Sequence, residues 1–332
     1  MKYEDFTKDI KRGLEEIISE KLEDGIVVIR NVKKNNGVFM KAVSIIRKEE
    51  NATPTIYLKE YFREYKWGRS IESICNEIFE VYMEGINRFK NNINIQDFSN
   101  FEQIKEKIYY KLVNYDMNRK LLEDLPHFRF LDMAIVFFIM VDYDENGQAT
   151  AMIHNQHIEN WNIEPDELRK VAFNNTWNKF PAIIKKMEDI IAEMIMSDLL
   201  EDNCDDEGII KEEFQYGTYG FAEVENIIRE EVEELKAERD IEMYVLTNSI
   251  KTNGATCITY PNIIKNFSKE HNCDVYIIPS SIHEVILIPG TYWEKEKINK
   301  MILEVNANEL DPVEILSDHV YVFSKDDEVI YY

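Results

Sequence analysis

The densest group of reactive side chains lies in Pro279-Ser-Ser-Ile-His-Glu284, between two apolar runs at 275–278 and 285–288. Ser280, Ser281, His283 and Glu284 bring two hydroxyls, an imidazole and a carboxylate into one short connection. In a hydrolase one serine would attack and His283 would take its proton. Triad members, however, usually arrive from separate elements. The sequence also has no Gly-x-Ser-x-Gly elbow and no glycine-rich loop to serve as an oxyanion hole. The competing reading is structural: the hydroxyls bond turn backbone, and His283 caps or pairs locally. Ser317-Asp318-His319 is a smaller cluster of the same kind, read as a cap and turn before a strand.

Two other constellations could carry chemistry. His154 and His157 have His-x-x-His spacing, with Glu159 and Asp166 close in sequence. A zinc site needs more ligands than that, and His127 would qualify only if the fold brought it near. The aromatics Tyr57, Tyr61, Phe62, Tyr65 and Trp67 have helical spacing. Lys59, Arg63, Lys66 and Arg69 are too few beside them for a base-stacking platform, so a core or partner surface is the better reading. An EF-hand set on Gly208 would place Phe214 where a bidentate carboxylate is required, so it fails. Walker A, Gly-x-Gly-x-x-Gly and His-Glu-x-x-His patterns are absent. No cofactor and no metal is expected.

Around these residues the chain of 332 residues is 45% hydrophobic and 12% aromatic, which is a globular composition. Its formal charge of −24 disfavours nucleic acid and anionic membrane surfaces as partners, and fits solubility or a protein partner. The four cysteines are scattered, without a Cys-x-x-Cys pair, as expected of reduced thiols in the cytoplasm. The charged N-terminus has no signal-peptide pattern, and the longest apolar run, 133–141, is too short to span a bilayer as a helix.

The elements that would position these residues follow from periodicity. Phe6, Ile10, Leu14 and Ile18 mark a first amphipathic helix. A hairpin is expected over 26–46, a short strand at 55–58, and helices over 59–66 and from 71 onward. In the middle third, 105–115 leans to strand and 116–122 to helix, 130–141 pairs with 149–153, and helices cover 165–178 and 182–200. The last third is read as a hairpin of 243–246 with 256–260, a helix over 261–271, the hairpin carrying Ser280 to Glu284, a helix over 293–305 and two final strands. The stretches 56–65, 152–161 and 258–267 can be laid in register, matching Tyr61, His157 and Ile263, then Tyr65, Trp161 and Phe267. This suggests three hairpin-plus-helix units.

The blocks Thr53-Pro-Thr-Ile-Tyr-Leu58, Phe130-Leu-Asp-Met-Ala-Ile-Val-Phe137, Met243-Tyr-Val-Leu-Thr-Asn248, Glu314-Ile-Leu-Ser-Asp-His-Val-Tyr321 and, most specific, Pro279-Ser-Ser-Ile-His-Glu284 resemble a domain-of-unknown-function family of clostridial gut bacteria. More distantly, the strand–helix layout is similar to the YtpQ-type uncharacterised proteins of bacilli. Neither resemblance implies an established activity.

The sequence therefore predicts an α+β protein of antiparallel hairpins flanked by helices. Its expected divisions are 1–95, 96–200, an acidic linker at 201–240, and an α/β unit at 241–332. The expected function is a non-enzymatic cytoplasmic binding or protein-interaction module. The alternative is a hydrolase using Ser280, Ser281, His283 and Glu284.

Overall fold

Phe6, Ile10, Leu14 and Ile18 recur every fourth residue, and in the computed structural model they form the buried stripe of helix α1 (Tyr3–Lys21). Residues 2–22, 24–48, 53–92, 98–144, 147–202, 241–290 and 294–332 are described. The chain divides into two compact units, 1–178 and 179–332. The expected acidic linker lies, from 203 on, outside the described residues.

In the first unit, strands β1 (Ile26–Lys33), β2 (Phe39–Ile46) and β3 (Ile56–Tyr57) form an antiparallel sheet in that order. Helices α2 (Lys59–Lys66) and α3 (Ile71–Asn92) follow. Alternation puts Val27, Val43, Ile45 and Ile56 on the face that meets α1 and α3, where Ile74, Ile78 and Tyr82 close a continuous core. Short helix α4 (Phe101–Ile104) then leads into a second antiparallel sheet. In it β4 (Ile108–Asn114) lines one edge of the long strand β6 (Met133–Asp144). After helix α5 (Arg119–Leu122), strands β5 (His127–Phe130) and β7 (Gly147–Met152) pair with successive parts of β6. Helices α6 (Asn155–Trp161) and α7 (Pro165–Lys179) complete this part of the chain.

The two sheets of this unit are tied at the β1–β2 turn. Asn118, only 2% exposed, accepts from the Asn36 N–H at 2.8 Å. Its amide nitrogen donates to the side chains of Asn35 and Asn36 and to the Asn114 carbonyl. A buried amide with this many partners fixes where the hairpin tip sits on β4.

The second unit is built on a six-stranded antiparallel sheet ordered β13-β12-β10-β11-β9-β8. Its strands are β8 (Ala182–Lys186), β9 (Tyr244–Asn248), β10 (Val275–Ile278), β11 (Val285–Pro289), β12 (Tyr321–Ser324) and β13 (Val329–Tyr331). Helices α8 (Met187–Asp202), α9 (Ile263–His271) and α10 (Lys295–Asn308) accompany them. Tyr276, Ile278, Ile288, Ile298, Ile302 and Val322 form a core between the sheet and α10.

The α+β reading holds, but several local expectations do not, among them that of one strand over 130–141: Phe130 ends β5, and β6 starts at Met133. Residues 182–200 are not one helix: the first five form β8, paired with β9 from Ala182↔Asn248 to Lys186↔Tyr244. Tertiary pairing overrides a stretch whose apolar residues suit either state. Residues 256–260 are not a strand: 256–259 belong to a 3-10 helix, Gly254–Thr259, and Tyr260 follows its end. There Thr256 donates through its side chain to the Asn253 carbonyl, and Cys257 Sγ contacts the Thr247 carbonyl at 3.3 Å. The third proposed hairpin-plus-helix unit therefore lacks its strand, whereas the first two do run from strand (β3, β7) into helix (α2, α6).

Candidate functional site

The hairpin β10–β11 pairs as far as Ile278↔Ile286, so Pro279 to Glu284 form a loop at one end of the sheet. The expected tight turn is this longer connection. Ser281 is 7% exposed, and its N–H donates to the Glu284 carbonyl at 3.2 Å. Its Oγ accepts the N–H of His283 at 2.9 Å, the hydroxyl turn bond expected of the structural reading. The loop is also sewn to its neighbours. Ala255 N–H donates to the Ile282 carbonyl at 3.3 Å, Ile282 N–H donates to the Glu314 carbonyl at 2.9 Å, and Thr247 Oγ1 donates to the His283 carbonyl at 2.8 Å.

The His283 ring is equally committed. Its Nδ1 accepts the Asn253 N–H at 3.3 Å, which requires the neutral ring's proton to sit on Nε2. Nε2 lies 3.9 Å from Glu314 Oε1. No hydrogen bond joins the ring to Ser280 or Ser281 among the described residues, and the side chains of Ser280 and Glu284 make none there either. A general base needs a free lone pair aimed at the proton it removes. Here the one lone pair of the neutral ring is already taken by backbone. Gly254 makes this arrangement possible. A Cβ at that position would stand 2.1 Å from Thr247 Oγ1 and 2.4 Å from the His283 carbonyl oxygen. Only glycine allows the 3-10 helix to press against the loop.

Ser317-Asp318-His319 repeats the same device. Ser317 Oγ accepts the His319 N–H at 3.0 Å, and Asn306 donates to the Ser317 carbonyl and the Asp318 carboxylate at 3.0 and 2.8 Å. The His319 ring stacks on Tyr332 with centroids 5.5 Å apart. The cap-and-turn reading describes this segment well.

The histidine pair also serves local structure. His157 Nδ1 accepts the His154 N–H at 3.0 Å at the start of α6, and its ring stacks on Trp161 at 5.6 Å. Burial, and then the nearby His154, lower the His157 pKa. His127 is occupied elsewhere, with Nδ1 donating to the Leu125 carbonyl at 2.9 Å. Among the described residues no three His, Cys, Asp or Glu side chains are grouped to hold a metal ion.

The aromatic series divides by face. Phe62 and Tyr65 pack on Phe6 of α1 with ring centroids 5.2 and 5.5 Å apart, while Trp67 is 84% exposed. Burial, reinforced by Glu77, pushes the Tyr61 phenol up to about 12. Beside it an open cleft of about 470 Å³ is lined by Arg69, Ser70, Glu72, Ser73, Asn76, Glu77 and Glu80. Arg69 is held there between Glu64, at 2.6 Å, and Glu77.

Sequence reasoning missed one group, Lys111. It is the only charged residue of β4, set in Ile-Tyr-Tyr-Lys-Leu-Val-Asn. Its amine lies 5.9 Å from the centroid of the Phe138 ring and makes no ion pair or hydrogen bond with any described residue. Burial, and then the charge of Lys34, push the ammonium down to about 8. A lone lysine inside an apolar strand was the available signal.

The molecule is thus an α+β protein of antiparallel sheets and packed helices, and among its described residues no helix is long and apolar enough to cross a membrane. A family model described as a family of unknown function, DUF5688, matches residues 3–325, and the chain belongs to that family. No curated protein and no solved structure matches it.

Proposed function

We propose that this protein is a non-enzymatic binding or protein-interaction module of the bacterial cytoplasm, in keeping with its resemblance to clostridial and YtpQ-type proteins. The observation that carries the proposal is the state of the Ser280–Glu284 loop: its most reactive groups, the Ser281 hydroxyl and the His283 ring, are engaged by backbone N–H groups. The β1–β2 hairpin offers a surface for a protein partner. Ile26 and Ile46, cross-strand neighbours, are 67% and 46% exposed. Residues 25–48 carry Arg30, Lys33, Lys34, Lys41, Arg47 and Lys48 with no Asp or Glu, against a chain charge of −24. An apolar pair amid cations on an otherwise acidic molecule suits a protein surface of opposite charge. Nucleic acid and membranes are poorer partners for so acidic a chain.

One observation favours the alternative hydrolase: Glu314 stands near His283 Nε2, as an acid does beside a catalytic imidazole. A fluorophosphonate probe separates the two readings. The expected result is no labelling of Ser280 or Ser281 in the native protein. Stoichiometric labelling that is lost in His283→Ala would overturn the proposal. On the binding side, a cross-linked partner that survives Ile26→Asp together with Ile46→Asp would remove the hairpin from the reading.

A further inference from the structure

Strand β1 pairs on one side alone, since the first sheet runs β1-β2-β3. The alternation of an antiparallel ladder fixes which of its backbone groups are used. Lys34 N–H donates to the Val38 carbonyl at 2.7 Å, and Leu58 N–H donates to the Lys41 carbonyl at 3.0 Å. Even-numbered residues of β2 therefore bond β1, and odd-numbered ones bond β3. In β1 itself, Ile26, Val28, Arg30 and Val32 bond β2, and the N–H and C=O groups of Val27, Ile29, Asn31 and Lys33 point away from the sheet. Among the described residues nothing bonds that side. The edge of β4 is treated differently, because helix α7 closes it. Thr176 Oγ1 accepts the Tyr110 N–H at 3.2 Å, and Asn175 donates to the Ile108 carbonyl at 2.9 Å. At eight residues, β1 is the longest edge strand among the described residues, and its outer side is open.

Charge narrows what can add to it. The strand carries Arg30 and Lys33 and no acid, and Lys34 follows. Lys41 is paired with Glu4 and Arg47 with Asp24. Arg30 donates to Thr55 Oγ1 at 3.2 Å, but neither it nor Lys33 nor Lys34 forms an ion pair with a described residue. A second copy is a poor occupant. The register that would use all four outward residues sets 27 against 33 and 29 against 31, and so places Arg30 opposite Arg30. Like charges directly opposite one another destabilise a strand pair.

We propose that β1 takes up an extended acidic segment of a partner protein as an added antiparallel strand. This rests on the interaction reading of the β1–β2 hairpin and names the partner's chemistry. Counted from the residue opposite Lys33 to the one opposite Ile26, acids at the first and fourth places face Lys33 and Arg30. Apolar residues at the second, sixth and eighth places stand beside Val32, Val28 and Ile26.

The probe is a blocked, fluorophore-labelled peptide, Glu-Val-Thr-Glu-Thr-Val-Thr-Val, titrated against the full-length protein by fluorescence anisotropy. The expected result is saturable binding that weakens at least about tenfold when both Glu are replaced by Lys. N-methylation of the third and fifth residues, whose N–H groups meet β1, should abolish binding. N-methylation of the fourth and sixth, whose N–H groups point away, should leave it. Asn31→Pro removes an outward N–H and no ladder bond, so it should also abolish binding. No binding of the unmodified peptide would overturn the proposal. Binding indifferent to the place of the N-methyl groups would overturn strand addition, while leaving a charged docking surface, and with it the interaction reading, in place. A dimer of the protein that Asn31→Pro converts to monomer would overturn it in favour of a second copy. The two N-methylated peptides decide the matter even if Asn31→Pro fails to fold.

Discussion

The loop from Pro279 to Glu284 and the middle of strand β4 make opposite uses of polar side chains. In the loop, a hydroxyl and an imidazole lie close together, and each satisfies a backbone N–H. In β4, a single amine lies among apolar residues and satisfies nothing among the described residues. The first arrangement stabilises, because a buried donor left unmade costs more than the bond itself returns. The second costs stability, because the charged form of the amine is desolvated without compensation. Of the reactive residue types gathered in sequence, the Ser281 hydroxyl and the His283 ring are thus engaged by backbone, whereas the isolated Lys111 amine is not. Polar groups available for chemistry are those the fold leaves unsatisfied.

The comparison can be broken first at Gly254. A methyl group there meets Thr247 Oγ1, the His283 carbonyl and the Asn248 nitrogen at 2.1, 2.4 and 2.8 Å, and two of these are backbone atoms. Gly254→Ala should therefore destabilise by about 3 kcal/mol in urea unfolding. A change within a few tenths of a kcal/mol would mean that the loop is not fixed as described.

Next comes the cost carried by Lys111. A lysine whose folded pKa is about 8, against a usual value near 10.5, penalises folding wherever the unfolded chain binds its proton more tightly. The penalty is full below pH 8 and fades as the pH approaches 10.5. Relative to Lys111→Met, the native protein should therefore gain roughly 1 to 3 kcal/mol as pH rises through that window. Paired unfolding curves at pH 7 and pH 10 check it. A difference that does not change with pH would sink the account.

Smaller effects sharpen the other side. Ser281→Ala and Ser317→Ala each remove the acceptor for a histidine N–H two residues on, and each should cost about 1 to 2 kcal/mol in thermal or urea unfolding. Similar costs would support one shared structural device. A much smaller cost at Ser281 would return that hydroxyl to the list of available groups. The smallest effect is expected at His157, whose lowered pKa means that the folded state resists its protonation. Stability should fall slightly as pH drops below about 6.5, and His157→Gln should abolish that fall, by about a few tenths of a kcal/mol.

Much of the architecture was legible before the structure. The four-residue stripe Phe6, Ile10, Leu14, Ile18 specified α1, and the continuous β-branched and aromatic runs at 275–278 and 285–288, set about a polar connection, specified the buried strands β10 and β11. The serine–histidine turn was legible as one of two readings. Where sequence reasoning failed, the deciding partner lay far along the chain. Ala182 to Lys186 became a strand because β9, some sixty residues on, supplied an edge to pair with. Residues 254 to 259 became a 3-10 helix because Gly254 could approach the His283 carbonyl.

By itself, then, the sequence determined the α+β class, the main helices and hairpins, and the placing of Ser280 to Glu284 on one connection, since these rest on local periodicity and turn chemistry. Only the tertiary structure decided which of those groups are spent and which are spare. Asn253 reached His283 across thirty residues, and the Phe138 ring came to lie near the Lys111 amine across twenty-seven. Satisfaction of a donor, and the charge state of an amine, depend on what the fold brings within a few ångströms, and no local pattern records that.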